Sequence, residues 1–309
     1  MNDIKYILIC GAGMMGKNIA FVMASNPAYQ VGVYDLYETD VPGGIRANTR
    51  QLIAKGALTE EELDARLSRI SFTTDLDSEL VSRADLVIEA VFEDMKIKRE
   101  TFAKLEARCR PDTIFCTNSS VMSPSEISAE LRHRERFVGT HFWNPGHLIP
   151  LVEVVKSDAS SDETAQTVME VLSSAGKEPV LCKKDVPGFI ANRMQHALWR
   201  EAISIVERGI ADAATVDKAV RYSFGLRLPQ LGPMENADMV GTDLTYNIHD
   251  YILKDLEDSH EPSPLLTRLR DEGKLGFKTG EGFQTWTPQQ IEQSKEALND
   301  YLVDMLYGK

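Results

Sequence analysis

The stretch Tyr6-Ile7-Leu8-Ile9-Cys10-Gly11-Ala12-Gly13-Met14-Met15-Gly16 runs a short apolar segment into three glycines at the GxGxxG spacing. The apolar run reads as a buried strand, and Gly16 to Ala24 as the helix that follows it. Each glycine has a mechanical task in such a strand–turn–helix unit. Gly11 permits the tight turn, Gly13 lets backbone approach a pyrophosphate, and Gly16 lets helix and strand pack closely. The helix N-terminus offers free amides and a partial positive charge to phosphate.

The glycines have a partner further on. Val31-Gly32-Val33-Tyr34-Asp35 reads as the next strand, and Asp35 lies 19 residues after Gly16. A carboxylate there accepts hydrogen bonds from ribose hydroxyls and repels a 2′-phosphate, which favours NAD over NADP. FAD uses a similar fingerprint and stays open at this stage.

The strand pattern continues outward. Leu86-Val87-Ile88-Glu89-Ala90-Val91, Ile114-Phe115-Cys116 and Phe137-Val138-Gly139-Thr140-His141-Phe142 are near-continuous apolar runs separated by helical stretches. Runs of that kind belong to a parallel sheet covered on both faces. Thr59-Glu60-Glu61-Glu62 has the capping-box form, and Ser123-Pro124-Ser125-Glu126 repeats it with proline at the first helical position. Ile45 to Ile70 reads as a helix–turn–helix inserted before the third strand, with the turn at Gly56. After Val186-Pro187-Gly188 the strand-like runs stop, and Met194, Leu198, Ala202, Ile205 and Val206 fall at helical spacing. The expected architecture is α/β: a Rossmann-type, doubly wound, mostly parallel sheet over residues 1–185, followed by an all-helical C-terminal domain over 186–309.

Composition narrows the partners. The 309 residues carry 34 Lys plus Arg against 47 Asp plus Glu, a formal charge of −13. Such a chain is poorly suited to nucleic acid, whose binding needs a basic face. Hydrophobic residues make up 43%, in the range of a folded soluble domain, and no apolar stretch reaches the roughly 20 residues of a membrane span. The N-terminus has no basic segment followed by a long apolar one, so no secretory leader is expected. Cys10, Cys109, Cys116 and Cys182 are scattered, without ligand spacing, and are expected as free thiols in a cytoplasmic protein. His133, His141, His147 and His196 show no metal-ligand spacing, and no metal is expected.

Two polar residues interrupt the apolar runs. His141 falls at the end of a strand, where doubly wound sheets place their ligands. Glu153 sits inside Leu151-Val152-Glu153-Val154-Val155, where a carboxylate is costly unless paired. A histidine oriented by a buried carboxylate is a suitable base for taking an alcohol proton as hydride departs.

These segments together resemble the 3-hydroxyacyl-CoA dehydrogenase family along the whole chain. The resemblance is carried by Gly11 to Gly16, by Asp85 to Val91 with Lys96 and Lys98, and by Thr117-Asn118-Ser119-Ser120. It continues through His141-Phe142-Trp143-Asn144-Pro145, Leu151 to Val155, Pro187-Gly188-Phe189-Ile190-Ala191-Asn192-Arg193 and Gly276 to Phe283. The resemblance implies that His141 is the general base or acid, Glu153 its orienting partner, and that Ser119 and Asn192 hold the substrate oxygen. It implies cofactor contacts at Met14, Met15, Glu93, Lys98, Asn118 and Asn144, besides Gly11, Gly13, Gly16 and Asp35. It also implies that the Ile45–Ile70 insertion helps grip CoA, that Phe277 to Phe283 form a structural turn, and that the helical domain makes a homodimer.

The pattern departs from the family in one loop. Asn144-Pro145-Gly146-His147-Leu148-Ile149-Pro150 has Pro150 where fatty-acid enzymes of the family carry a lysine. This version is more similar to relatives acting on small free hydroxy acids such as gulonate, carnitine or pyridine-derived alcohols. The expected activity is therefore interconversion of a β-hydroxyl and a ketone, on a CoA thioester or on a small free hydroxy acid. Arg200 and His147 are candidate carboxylate contacts, with Arg200 equally able to pair with Glu201. Two readings compete: a relative that kept the fold without the chemistry, and a dinucleotide-sensing regulator. The four residues Ser119, His141, Glu153 and Asn192 argue against the first, and the lack of a basic recognition helix against the second.

Overall fold

A computed structural model describes residues 4–308. The chain forms two compact units: the first ends at Ala191 and takes up the chain again from Leu298, and the second spans Asn192–Ala297.

In the first unit the strands and helices alternate as β1 (Tyr6–Cys10), α1 (Met14–Met23), β2 (Gln30–Tyr34), α2 (Val41–Ala54), α3 (Glu60–Leu67), β3 (Ile70–Thr73), α4 (Glu79–Ser82) and β4 (Leu86–Glu89). They continue as α5 (Met95–Glu106), β5 (Ile114–Thr117), α6 (Pro124–Ile127), β6 (Phe137–Phe142), β7 (Leu151–Lys156), α7 (Asp162–Ser174) and β8 (Glu178–Cys182). The eight strands form one sheet in the order β3-β2-β1-β4-β5-β6-β7-β8. All neighbours are parallel except β6 and β7. Strand order reverses direction between β1 and β4, so the crevice beyond their carboxyl ends is the ligand position of a doubly wound sheet.

Alternation along each strand covers both faces. Ile7 and Ile9 of β1 pack in one apolar cluster with Ile19 and Met23 of α1, while Leu8 and Cys10 pack in another with Phe102 of α5 and Phe115 of β5. The insertion is helix–turn–helix as expected: Thr59 and Glu62 form a reciprocal capping box, and Gly56 takes φ 71° in the turn. Ser123 caps α6 with Pro124 in its first turn, although that helix is only four residues long.

The second unit holds most of α8 (Ala191–Glu207), then α9 (Ala213–Arg221), α10 (Phe224–Arg227), α11 (Pro233–Val240), α12 (Thr242–Ile252) and α13 (Pro264–Asp271). The last helix, α14 (Pro288–Tyr307), ends in the first unit. Val303 is 2% exposed in that unit's core, and Lys55 of α2 pairs with Asp300 and Asp304. Contacts divide the chain at 191/192 rather than at 185/186, and residues from Leu298 onward belong to the sheet unit. Val303 and its neighbours find apolar partners there that local pattern does not reveal. Within the second unit, Gly276 to Thr285 make two β-bridges, and Phe277 meets Trp286 edge to face at 4.9 Å.

Candidate active site

The glycine turn is built as its spacing predicts. Gly11 has φ 108°, and a Cβ there would stand 2.6 Å from the Ala90 carbonyl oxygen. A Cβ on Gly16 would stand 1.8 Å from the Gly11 oxygen, so strand and helix are in backbone contact there. Gly13 instead opens onto free space, with nothing within 4 Å of an added Cβ. Helices α2 to α7 each begin on an Asp, Ser or Thr whose side chain caps the first amides. Helix α1 has no such cap. Uncapped amides beside an open glycine face fit the pyrophosphate of a dinucleotide. Asp35 stands at the end of β2 and accepts from the Ala12 amide at 2.6 Å and the Tyr37 amide at 3.1 Å. Each carboxylate oxygen keeps a second lone pair for a ribose hydroxyl.

A second cluster sits at the carboxyl ends of β4 and β5. The Lys98 ammonium, 1% exposed, lies 2.8 Å from Glu89 and 3.1 Å from Glu93. Glu93 accepts from the Ser119 hydroxyl and from the Ser120 amide at 3.1 Å. Glu89 also accepts from Thr117 and the Val91 amide, both at 2.7 Å. Burial pushes the Glu89 carboxyl above its ordinary value, against the pull of Lys98. Glu93 is also partly desolvated, but Ser119 and Lys98 hold it below the usual glutamate range. Asn118 accepts from the Phe142 amide at 2.9 Å, tying β5 to the end of β6.

Antiparallel pairing of β6 with β7 sets His141 directly opposite Glu153. Both are buried, and His141 Nδ1 lies 2.9 Å from Glu153 Oε2. An ionised carboxylate only accepts, so Nδ1 carries a proton, and the neutral form of the ring has its lone pair on Nε2. Trp143 Nε1 donates to the same oxygen at 3.2 Å, and the Ile190 and Ala191 amides donate to Oε1 at 2.8 and 2.9 Å. Burial works against the Glu153 charge, but these four donors outweigh it and hold the carboxyl below its ordinary value. The last two amides come from a tight turn: Gly188 has φ 76° and Phe189 φ 50°, a left-handed conformation rare for a bulky residue. The Phe189 ring is buried 5.8 Å from the imidazole, centroid to centroid. A half-buried Trp143 flanks the imidazole at 5.4 Å.

The chain as a whole matches known proteins in sequence and fold. The model of the 3-hydroxyacyl-CoA dehydrogenase NAD binding domain matches residues 6–186, and that of the 3-hydroxyacyl-CoA dehydrogenase C-terminal domain residues 188–286. The chain belongs to the 3-hydroxyacyl-CoA dehydrogenase family. It is 34% identical over 293 residues to 5-formyl-3-hydroxy-2-methylpyridine 4-carboxylate 5-dehydrogenase of Mesorhizobium japonicum, covering 94% of this chain and 93% of that one. It is 37% identical over 291 residues to human mitochondrial hydroxyacyl-coenzyme A dehydrogenase, covering 91% and 90%. Among solved structures, the pyridine-carboxylate 5-dehydrogenase superposes with a TM-score of 0.89 at 32% identity, over 98% of this chain and 97% of that one. The (S)-3-hydroxybutyryl-CoA dehydrogenase of Ralstonia eutropha superposes at 0.77 with 29% identity, over 92% and 100%. Like its relatives, this member of the family is an NAD-dependent oxidoreductase acting on CH–OH groups.

All the expected site residues but Asn192 fall into three groups. Gly11, Gly13, Met14, Met15, Gly16 and Asp35 share the β1–α1 turn and the end of β2. Glu93, Lys98, Asn118 and Ser119 share the β4–β5 end, where Ser119 hydrogen-bonds Glu93. His141, Asn144 and Glu153 share the β6–β7 end. Asn192 is the first residue of the second unit. Glu89, Thr117, Trp143 and the Ile190 and Ala191 amides escaped the sequence reading. Glu89 carried the same signal as Glu153, a carboxylate in an apolar run. Among the described residues no helix is long and apolar enough to cross a membrane, and no acidic, His or Cys group is arranged to hold a metal. Burial and the nearby Lys177 push the His147 imidazole down to about 4, so it offers no charge to a carboxylate near neutral pH. Arg200 donates to the Ser259 carbonyl at 3.3 Å, and no ion pair joins it to Glu201 among the described residues.

Proposed function

We propose that His141 is the acid–base group of a β-hydroxy/ketone oxidoreductase, with Glu153 orienting it, and that the substrate is a small free hydroxy acid or alcohol. Bound NAD supplies the hydride acceptor. The chain's own part is to take the hydroxyl proton at His141 Nε2 while the Glu153 carboxylate, already saturated with donors, balances the imidazolium. The buried His141–Glu153 contact carries this reading. Ser119 and Asn192 are proposed to hold the substrate oxygen, and Glu93, Lys98, Asn118 and Asn144 to contact the cofactor beside the glycine turn. Replacing His141 by Gln is expected to lower kcat by about 10²- to 10⁴-fold with little change in NAD affinity. Near-normal turnover in that variant sinks the base assignment.

The insertion supports a substrate without CoA. It carries five basic residues, Arg46, Arg50, Lys55, Arg66 and Arg69, of which four are already engaged. Arg46 pairs with Glu60 and Asp64, Lys55 with Asp300 and Asp304, Arg69 with the Ala24 carbonyl, and Arg66 stacks 4.5 Å over Phe21. Arg46 and Lys55 are thus offset by carboxylates, and Arg66 and Arg69 have their donors or faces turned to protein groups. That leaves Arg50, among the described residues, as the insertion's one unengaged cation for the phosphates of a CoA tail. The full-length likeness to the pyridine-carboxylate enzyme points the same way, whereas the likeness to hydroxybutyryl-CoA enzymes favours a thioester as the second reading. NADH formation decides, with (S)-3-hydroxybutyryl-CoA set against carnitine, L-gulonate and other free β-hydroxy acids. Turnover of the thioester alone overturns the free-acid reading.

A homodimer through the helical unit is also proposed. Tyr222, Leu226, Met234, Met239, Tyr246 and Tyr251 there are each at least 70% exposed, more large apolar surface than a monomer usually shows. The four free thiols, three of them buried, support a reducing compartment such as the cytoplasm.

A further inference from the structure

Lys177 precedes β8 and is 5% exposed, yet no carboxylate pairs with it among the described residues. Its ammonium donates to two carbonyls of one loop, Gly146 at 2.7 Å and Ile149 at 2.7 Å, and lies 5.9 Å from the centroid of the Phe142 ring. All three partners belong to the segment between His141 and β7. Helix α7 ends in a turn made for this delivery: Gly176 takes φ 79°, its amide and that of Lys177 close back on Ser173 and Leu172, and the Glu178 amide bonds the Pro150 carbonyl.

The same loop is pressed against the cofactor helix. A Cβ on Gly146 would stand 3.1 Å from Met15 Cε and 3.3 Å from Asn18 Cβ. Asn18 in turn accepts from Asn48 of the insertion at 2.8 Å. The loop is therefore clamped from two sides, by α1 through van der Waals contact and by Lys177 through charge-assisted hydrogen bonds. A buried ammonium without a counter-charge is expensive, and burial pushes this one down to about 8. An apolar side chain would fill the space without that cost but would leave two loop carbonyls without their donor.

We propose that Lys177 is a positioning residue for the reaction, acting through the Gly146–Ile149 loop to hold Asn144 and the end of β6 in register with the dinucleotide turn. The proposal rests on the assignment of His141 and Asn144 to the reacting site. Its contribution is geometric, and displacement of a reacting group by about 1 Å costs about a hundredfold in rate.

The test is Lys177→Met, read two ways. Hydrogen exchange of the loop comes first: the Leu148 and Ile149 amides, which donate to the Pro145 carbonyl at 2.9 and 3.0 Å, should exchange faster while the β1 and β4 amides keep their protection. Turnover of the substrate identified by the NADH panel should then fall about a hundredfold in kcat, with KM changed less than about threefold. Unchanged loop exchange overturns the proposal, and so does a released loop with kcat within about twofold of wild type. Should the methionine variant not fold, Lys177→Gln, with two amide donors on a shorter arm, is held to the same two readings. His141→Gln run alongside keeps the questions apart: normal turnover there removes the base assignment, whereas the exchange data judge the clamp independently.

Discussion

At the residue scale, Glu153 shows how a cost becomes a tool. A carboxylate in the middle of a strand loses its water, and four donors replace that water: His141, Trp143 and the amides of Ile190 and Ala191. The net effect is a carboxyl below its ordinary value. The sign of the pH dependence follows: a depressed acid contributes stability above its unfolded value, near 4.3, and loses it as pH falls through the folded one. Glu153→Gln should therefore flatten the loss of urea stability below about pH 4 relative to wild type. Trp143→Phe, which removes one donor, should raise the folded value and shift that loss to higher pH. Identical acid profiles in all three proteins would contradict this account of the carboxylate.

At the element scale, the β1–α1 turn separates two kinds of glycine. Gly16 is needed by the fold, since any Cβ meets the Gly11 carbonyl at 1.8 Å, whereas Gly13 faces open space. Gly16→Ala should lower both the melting temperature and cofactor affinity. Gly13→Ala should melt like wild type and lose NADH affinity by tenfold or more, measured by fluorescence titration, because its methyl group occupies the space of the pyrophosphate. A Gly13→Ala protein that binds NADH normally would remove the turn from the phosphate site. The β6–β7 hairpin works on the same scale. Its antiparallel register places His141 and Glu153 side by side, and a slip of one residue would turn one of them to the opposite face.

At the scale of the whole molecule, the two units differ in how they bury apolar surface. The first encloses its strands between two apolar layers, while the second leaves large aromatic and methionine side chains in solvent. Sedimentation of wild type should give a dimer, and Tyr251→Asp or Met239→Asp should shift it towards monomer at micromolar concentration without unfolding the sheet unit. A wild-type monomer at high concentration counts against the dimer. The returning end of α14 adds Val303 to the sheet unit's core, so a chain cut before Leu298 should melt lower for loss of that packing.

Local order determined much of this protein. Strand, glycine turn, helix and Asp35 lie within 30 consecutive residues, and short-range sterics alone give them their form. The capping residues Thr59 and Ser123 were legible for the same reason, as were His141 and Glu153, polar residues in apolar runs whose cost demands a partner. Their pairing was not legible as geometry, because nothing local says that β6 and β7 run antiparallel in that register. Trp143 looks like one more aromatic in sequence, and the Ile190 and Ala191 amides like ordinary backbone, until the Gly188–Phe189 turn aims them at one carboxylate. Lys177 had no signal at all, since a lysine after a glycine at a helix end is normally a solvated side chain. Its burial, the packing of residues 298 onward in the sheet unit, and the engagement of Arg66, Arg69 and Lys55 in the insertion depend on contacts between residues 28 to 249 positions apart. Periodicity and spacing carry local preferences; which distant groups end up close enough to share a charge is decided only when the chain packs.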